Sequence, residues 1–263
     1  MTYVFYSMIC LLATTLGAIS GIGGGVIIKP VLDATAQLSV SQISFLSGCS
    51  VLTMSLVSLL SSIGGDVKID KVRTTPLAIG SAVGGVVGKL LFDVIKKSAG
   101  NDGVVGTVQS IIMIILTAGV LLYVLNKKHI KTINVSSVLV CIAIGLVLGI
   151  LSSFLGIGGG PINLAVLYFF FSMNTKTAAL NSLYMILFAQ SASLVYSFAS
   201  ASVPEADYLT LVVMIISGVI GGFVGRKINK KMSSRAVDIL FCCMLVAIVA
   251  TSVFNLVKYI SII

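Results

Sequence analysis

Long apolar runs separated by short polar loops make up most of this chain, among them Ile111–Leu125, Val135–Leu155, Ala178–Ala199, Leu209–Val224 and Ala236–Val257. Each approaches the roughly 20 residues that a helix needs to cross a bilayer. None shows the alternation of a membrane barrel strand. Two runs are interrupted by nearly the same cluster, Gly21-Ile22-Gly23-Gly24-Gly25 and Gly156-Ile157-Gly158-Gly159-Gly160, 135 residues apart. Three glycines in a row weaken a helix by roughly 1 kcal/mol each relative to alanine, so each cluster predicts an unwound stretch.

A second correspondence extends the repeat. Gly84-Gly85-Val86-Val87-Gly88-Lys89 matches Gly221-Gly222-Phe223-Val224-Gly225-Arg226 at an offset of 137, with Gly80 answered by Ser217. Small residues every fourth position allow close helix approach in lipid. The stretch is no phosphate-binding loop, because Leu90 follows Lys89 and the GxxxxGK spacing is absent. Five elements per half follow, at about 3–20, 21–36, 42–63, 75–92 and 104–125, then 135–156, 157–172, 176–198, 208–226 and 236–258. The second of each half is short and starts at its glycine cluster.

Charge sets the expected topology. Three loops are basic: Lys68/Lys71/Arg73, Lys127/Lys128/Lys131 and Arg226/Lys227/Lys230/Lys231/Arg235. The positive-inside rule puts all three in the cytoplasm. At repeat-equivalent positions the bias reverses: Glu205 and Asp207 answer Lys68–Arg73, and the near-balanced 93–102 stretch answers 226–235. The expected fold is an all-α integral membrane protein of two inverted five-element repeats, with broken or short helices at the glycine clusters and about 8–10 membrane spans. Ten crossings with both termini outside is the first arrangement; eight full spans with two re-entrant segments is the other. One transmembrane domain covers 1–263, with repeat one at 1–126, a cytoplasmic linker at 127–134 and repeat two at 135–263.

Composition agrees with this and excludes other classes. Of the residues, 57% are hydrophobic and 10% charged, where a soluble domain carries about a quarter charged. The net charge of +9 is spread over loops at helix ends, so nucleic acid is not an expected partner. Cys10, Cys49, Cys141, Cys242 and Cys243 lie in apolar segments without CxxC spacing, and His129 is the one histidine. No cofactor and no metal site is expected. The N-terminal apolar run lacks the charged start of a signal peptide and leads into the first glycine cluster, so it reads as a retained helix.

The glycine clusters are the candidate site. Bare backbone within a bilayer is tolerated only where protein buries it or a polar cavity receives it. Gly23, Gly24 and Gly25 and Gly158, Gly159 and Gly160 either serve as such a site or permit close helix packing. Pro161 suits the first turn of a new helix, whose free N–H groups and positive dipole end attract anions. Lys29 either binds an anion, reaches the interface, or pairs with Asp33 one turn on. Ser47, Asn163, Asn181, Ser182 and Gln190 are deep polar groups that hydrogen-bond an oxyanion or link helices; Ser44 and Ser50 share the helix of Ser47. Proton coupling through a buried acid would rest on Asp33.

The paired motifs, Gly21-Ile-Gly-Gly-Gly followed by Pro30 and Gly156-Ile-Gly-Gly-Gly-Pro161, together with the two-half layout, resemble the TauE/SafE sulfite-exporter family over essentially the whole chain. Here Leu46-Ser47 and Asn181-Ser182 stand where similar proteins often carry Thr-Ser, and Lys29 where an aliphatic residue is common. The resemblance implies secondary transport of small sulfur-containing anions such as sulfite, sulfoacetate, thiosulfate or an organosulfonate. The expected setting is the cell (inner or plasma) membrane, multi-pass. The expected partners are lipid, a small anionic substrate and a proton or sodium ion for coupling. A small-anion channel remains the alternative, and a membrane-embedded enzyme is disfavoured for want of a His cluster, acid pair or nucleophile–base set.

Overall fold

The computed structural model describes residues 2–35, 38–127 and 129–261, and every regular element in them is a helix. Lys128 of the second basic loop and residue 36 of the second expected element fall outside the described residues. The ten helices are α1 (Thr2–Ser20), α2 (Gly25–Thr35), α3 (Val40–Leu60), α4 (Lys71–Ala99), α5 (Asp102–Asn126), α6 (Val138–Leu155), α7 (Gly160–Phe171), α8 (Thr175–Ala199), α9 (Tyr208–Lys231) and α10 (Ser234–Ile260). The chain is a multi-pass membrane protein.

Ten full crossings are not what these lengths give. Eight helices are long and apolar enough to span a bilayer. α2 has 11 residues and α7 has 12, so at 1.5 Å per residue each rises about 16–18 Å. That is roughly half of a 30 Å hydrocarbon core. The glycine runs start these helices late, and Thr35 and Ser172 end them early.

Other boundaries move outward because helix and membrane do not end together. α4 runs from Lys71 to Ala99 rather than over 75–92. The Asp70 side chain accepts the Arg73 N–H at its start, a Lys89–Asp93 ion pair of 2.9 Å supports its fourth-residue spacing, and Gly100 closes it in the left-handed conformation. Hydropathy sees only the apolar middle. Similarly, Asp207 caps α9 and accepts from the Thr210 N–H and hydroxyl, which hold its carboxyl below the usual range.

Side-chain contacts sort the helix ends into two groups. One end of the bundle gathers the starts of α1, α3, α5 and α9 and the ends of α2, α4, α8 and α10. There Gln42 donates to the Glu205 carbonyl, the Val40 N–H to Asp102, Lys96 to Ser41, and Lys258 to the Asp33 carbonyl. The other end gathers the starts of α4, α6, α8 and α10 and the ends of α3, α5, α7 and α9. There Lys230 donates to the Ser61 carbonyl, Lys127 to Asp238, Thr74 to Asn181, and the Ile133 N–H to the Phe169 carbonyl. The described residues of all three basic loops belong to this second end, which we call the basic end. α1 and α2 thus enter from and return to the acidic end, and α6 and α7 do the same from the basic end.

The packing repeats between halves. α4 lies against α6 as α1 lies against α9; α4 against α8 as α9 against α3; α2 against α10 as α7 against α5; and α3–α8 and α5–α10 are their own counterparts. In the tightest pair, a methyl on Gly80, Gly84 or Gly88 would overlap the carbonyl oxygens of Ile142, Leu146 and Ile150, while Gly145 and Gly149 sit on Leu77 and Ser81 in return. On α9, Gly221 meets the Thr14 side chain of α1 and Gly225 the Thr15 carbonyl oxygen. Glycine thus brings the helices of both pairs close, and in α4–α6 the contact surface is backbone.

Two outcomes check this arrangement. Gly84→Val should lower the melting temperature of the purified protein by roughly 5 °C or more, as overpacking of 1–3 kcal/mol would, while Gly119→Val, with open space around it, should leave it unchanged. Cysteines at positions 205 and 230, at opposite ends of the bundle, should react with an impermeant maleimide from opposite faces of intact cells; labelling from a single face contradicts the end grouping.

Candidate functional site at the helix breaks

Both glycine clusters are unwound, and each uses backbone that a side chain would strain. Gly21 and Gly23 have φ of +82°, and Gly156, Gly158, Gly159 and Gly160 have φ of +66°, +75°, +116° and +65°. Gly156 closes α6 as a left-handed cap, and Pro161 stands in the first turn of α7. Such φ values suit glycine above all other residues.

The two breaks touch. The Gly160 N–H donates to the Ile22 carbonyl at 3.1 Å. In the reverse sense, the Ile157 carbonyl rests on Gly25 so closely that no β-carbon would fit. The first turns of α2 and α7 therefore meet across one contact, and the positive ends of two helix dipoles converge there. Among the described residues, the N–H groups of Gly23, Gly24, Gly158 and Gly159 have no hydrogen-bond acceptor.

Polar side chains ring this meeting point. The Ser47 hydroxyl lies against Gly25, the Gln190 amide against Gly158, the Asn163 amide against Gly159 and the Ser44 hydroxyl against Gly156. Ser47 Oγ, Ser44 Oγ, Ser182 Oγ, Gln190 Nε2 and Asn163 Oδ1 are buried without a partner, as are Ser152 Oγ and Ser153 Oγ at the end of α6. A buried polar atom left unpaired costs about 1–3 kcal/mol. Four of them, on Ser44, Ser47, Asn163 and Gln190, lie against the glycines of the two breaks. Beside them is a cavity of about 30 Å³, lined by Ser44, Ser153, Gln190 and Ser193, with room for about two waters. The ring is closed around the breaks, so a larger solute fits only after the helices part.

Three candidates stand apart from this ring. Lys29 is buried and its ammonium is 2.9 Å from Asp33 Oδ2. The pair faces a separate cavity of about 20 Å³ with Gln109, Ser252 and Asn255. In that cavity Gln109 and Asn255 turn their NH₂ groups to the carbonyls of Phe154 and Pro30, leaving Gln109 Oε1, Asn255 Oδ1, Ser252 Oγ and Asp33 Oδ1 unpartnered. Asn181 is fully engaged: Oδ1 accepts from the Asp70 N–H at 3.0 Å and the Thr74 hydroxyl at 2.6 Å, and Nδ2 donates to the Thr177 carbonyl. It fastens α8 to the start of α4. Pro161 lines a separate apolar pocket that Met113, Leu116, Ile157 and Gly159 share.

Two functional candidates escaped the sequence reading. Lys89 lines the cavity beside Gln190, its ammonium 2.9 Å from Asp93 and 4.8 Å from the Phe92 ring centroid. Arg226, at the equivalent position of α9, is 2% exposed. Arg226 Nη1 donates to Asn229 Oδ1 at 2.8 Å, its Nε has no partner, and among the described residues no carboxylate pairs with it. The signal was present in the glycine repeat that precedes both, Gly84–Lys89 and Gly221–Arg226, taken there only for packing.

The profile of the family described as Sulfite exporter TauE/SafE matches residues 6–252. The chain is also 25% identical over 281 aligned residues to the "Probable membrane transporter protein YunE" of Bacillus subtilis (strain 168), covering 94% of this chain and 96% of that protein. No solved structure matches the chain. Two touching helix breaks in a helical membrane protein with eight helices long and apolar enough to span a bilayer, and a family profile that covers nearly all of it, lead to one conclusion: the chain belongs to the sulfite exporter TauE/SafE family of membrane transporters.

Proposed function

We propose that the protein is a secondary transporter that moves a small, sulfur-containing anion, such as sulfite or thiosulfate, by alternating access around the paired breaks. One observation carries the reading: α2 and α7 begin at the same buried point, where unpaired amides and the unpartnered groups of Ser47, Asn163 and Gln190 surround converging positive dipole ends. Gly23, Gly24, Gly25, Gly158, Gly159 and Gly160 supply backbone to the anion, Asn163 and Gln190 orient it, and Pro161 starts the helix that faces it.

In this reading, residues 1–126 and 135–263 are inverted halves joined by a cytoplasmic linker at 127–134, with the basic end in the cytoplasm. The helix pairings that recur between halves support it, because two near-equivalent halves can exchange conformations at little cost. Asp33, whose Oδ1 is free beside Gln109 and Asn255, takes the coupling proton or sodium ion, and Lys29 holds its other oxygen.

Purified protein in liposomes loaded with unlabelled sulfite should accumulate labelled sulfite by counterflow and show no unitary currents; saturable counterflow missing for sulfite, thiosulfate and sulfonates alike would remove the carrier reading. Asp33→Asn should keep counterflow and lose the response to an imposed proton or sodium gradient. Site and scaffold should also separate. Ser47→Ala, which removes an unpartnered buried hydroxyl, should lower transport while leaving the melting temperature unchanged or higher. Asn181→Ala should lower the melting temperature through the loss of about 1–3 kcal/mol.

A further inference from the structure

A polar route descends from the acidic end of the bundle to the breaks between α3, α4 and α8. It opens in a surface cavity of about 620 Å³ whose lining includes Ser41, Asp93, Lys96, Asn101 and Tyr196. One helical turn deeper on each helix lies the 30 Å³ cavity, where Ser44 succeeds Ser41, Lys89 succeeds Asp93, and Ser193 and Gln190 succeed Tyr196. Its floor is Gly156 of the second break, with the Gln190 amide against Gly158. The Lys89–Asp93 ion pair is therefore the divide between the two cavities, its carboxylate above and its ammonium below.

Below that divide, hydrogen-bond capacity is left over. Gln190 Nε2, Ser44 Oγ and Ser153 Oγ are buried without partners, and Gln190 is 3% exposed. With Lys89 they make one ammonium, one amide NH₂ and two hydroxyls around a small space. That set suits a compact oxyanion with charge spread over several oxygens.

The basic side is built differently. Repeat equivalence sets Arg226 against Lys89, Asn229 against Phe92 and Lys230 against Asp93, so the buried cation on this side has a lysine where its counterpart has a carboxylate. Asn229 bridges Arg226 to the Ile19 carbonyl in the last turn of α1, just before the first break. Ser58 donates to the Gly222 carbonyl and Ser62 to the Ser58 carbonyl, closing that side with satisfied bonds. A buried guanidinium without a counter-charge is costly unless an anion visits it.

We infer that Lys89 and Arg226 are the anion's two stations on either side of the breaks, with Asp93 holding Lys89 until an oxyanion from the acidic end displaces it. The inference rests on the anion-transport reading above and adds the route, the residues and the preference for a compact oxyanion. Asp93 keeps the ammonium neutralised between cycles, and its departure exposes a cation directly above Gln190. Arg226, with no carboxylate to release it, draws the anion past the breaks and holds it until the basic side opens.

The test uses sulfite as probe and reads each face separately, in right-side-out and inside-out vesicles. Lys89→Gln should raise the KM for sulfite offered at the acidic face roughly tenfold or more, as loss of a charged hydrogen bond does, with Lys89→Arg restoring most of it. Asp93→Asn should lower that KM, and Arg226→Gln should raise KM at the basic face alone. A second readout needs no transport: with the native cysteines replaced by alanine, Ser193→Cys should react faster with an anionic sulfonate thiol reagent than with a neutral one from the acidic face. Lys89→Gln should abolish that preference and Asp93→Asn should increase it. An unchanged KM and an unchanged reagent preference in Lys89→Gln overturn the proposal, as does a cysteine at 193 that neither reagent reaches. Should Lys89→Gln fail to fold, an Asp93→Asn preference equal to wild type overturns it equally. A charge-dependent preference in a protein that never exchanges sulfite would leave the route standing and overturn the carrier reading instead.

Discussion

The contact between the two broken helices is the constraint around which the rest of the protein is arranged. An unwound backbone in hydrocarbon has N–H and C=O groups that no lipid can satisfy. Here each break lies against the other: Gly160 donates to Ile22, and Ile157 rests on Gly25. Each break is packed partly by its own half and partly by the other, so the two depend on one another at that point. Among the described residues, four glycine amides and a ring of side-chain groups around the breaks remain unsatisfied.

Holding two breaks together at depth requires a frame that does not yield, and the glycine-lined pairs supply it. α4 meets α6 backbone to backbone, and α9 presents glycine to Thr14 and Thr15 of α1, contacts that lipid cannot replace because dispersion and shape drive association there. α1 and α6 are also the helices that lead into the breaks. The frame therefore fixes where each break begins, while the 11 and 12 residues of α2 and α7 carry each back to the face it came from.

Charge is distributed to match. The lone acids of the buried segments are each held: Asp33 by Lys29, Asp93 by Lys89, Asp238 by Lys127 and Thr175. Among the described residues, Arg226 keeps a deep charge with only an amide for company.

Much of this was legible in the chain. The glycine clusters announced both breaks because glycine is the residue that left-handed backbone favours, and Pro161 announced the start of α7 because proline lacks only an N–H that a first turn does not use. Apolar length gave the eight long helices, and the basic loops gave the end to which they belong. Three-dimensional packing alone decided the rest. Asn181 and Ser182 are neighbours of like polarity, yet one is spent on Asp70 and Thr74 and the other is left unpaired, since hydrogen-bond partners a hundred residues away are invisible in a local pattern. Arg226 looked like part of a basic loop and Lys89 like the end of a glycine stripe, and only the neighbouring helices showed Arg226 buried and Lys89 lining a cavity. A sequence specifies where a helix must break and which residues are polar; which of those polar groups find partners is settled by the helices that fold against them.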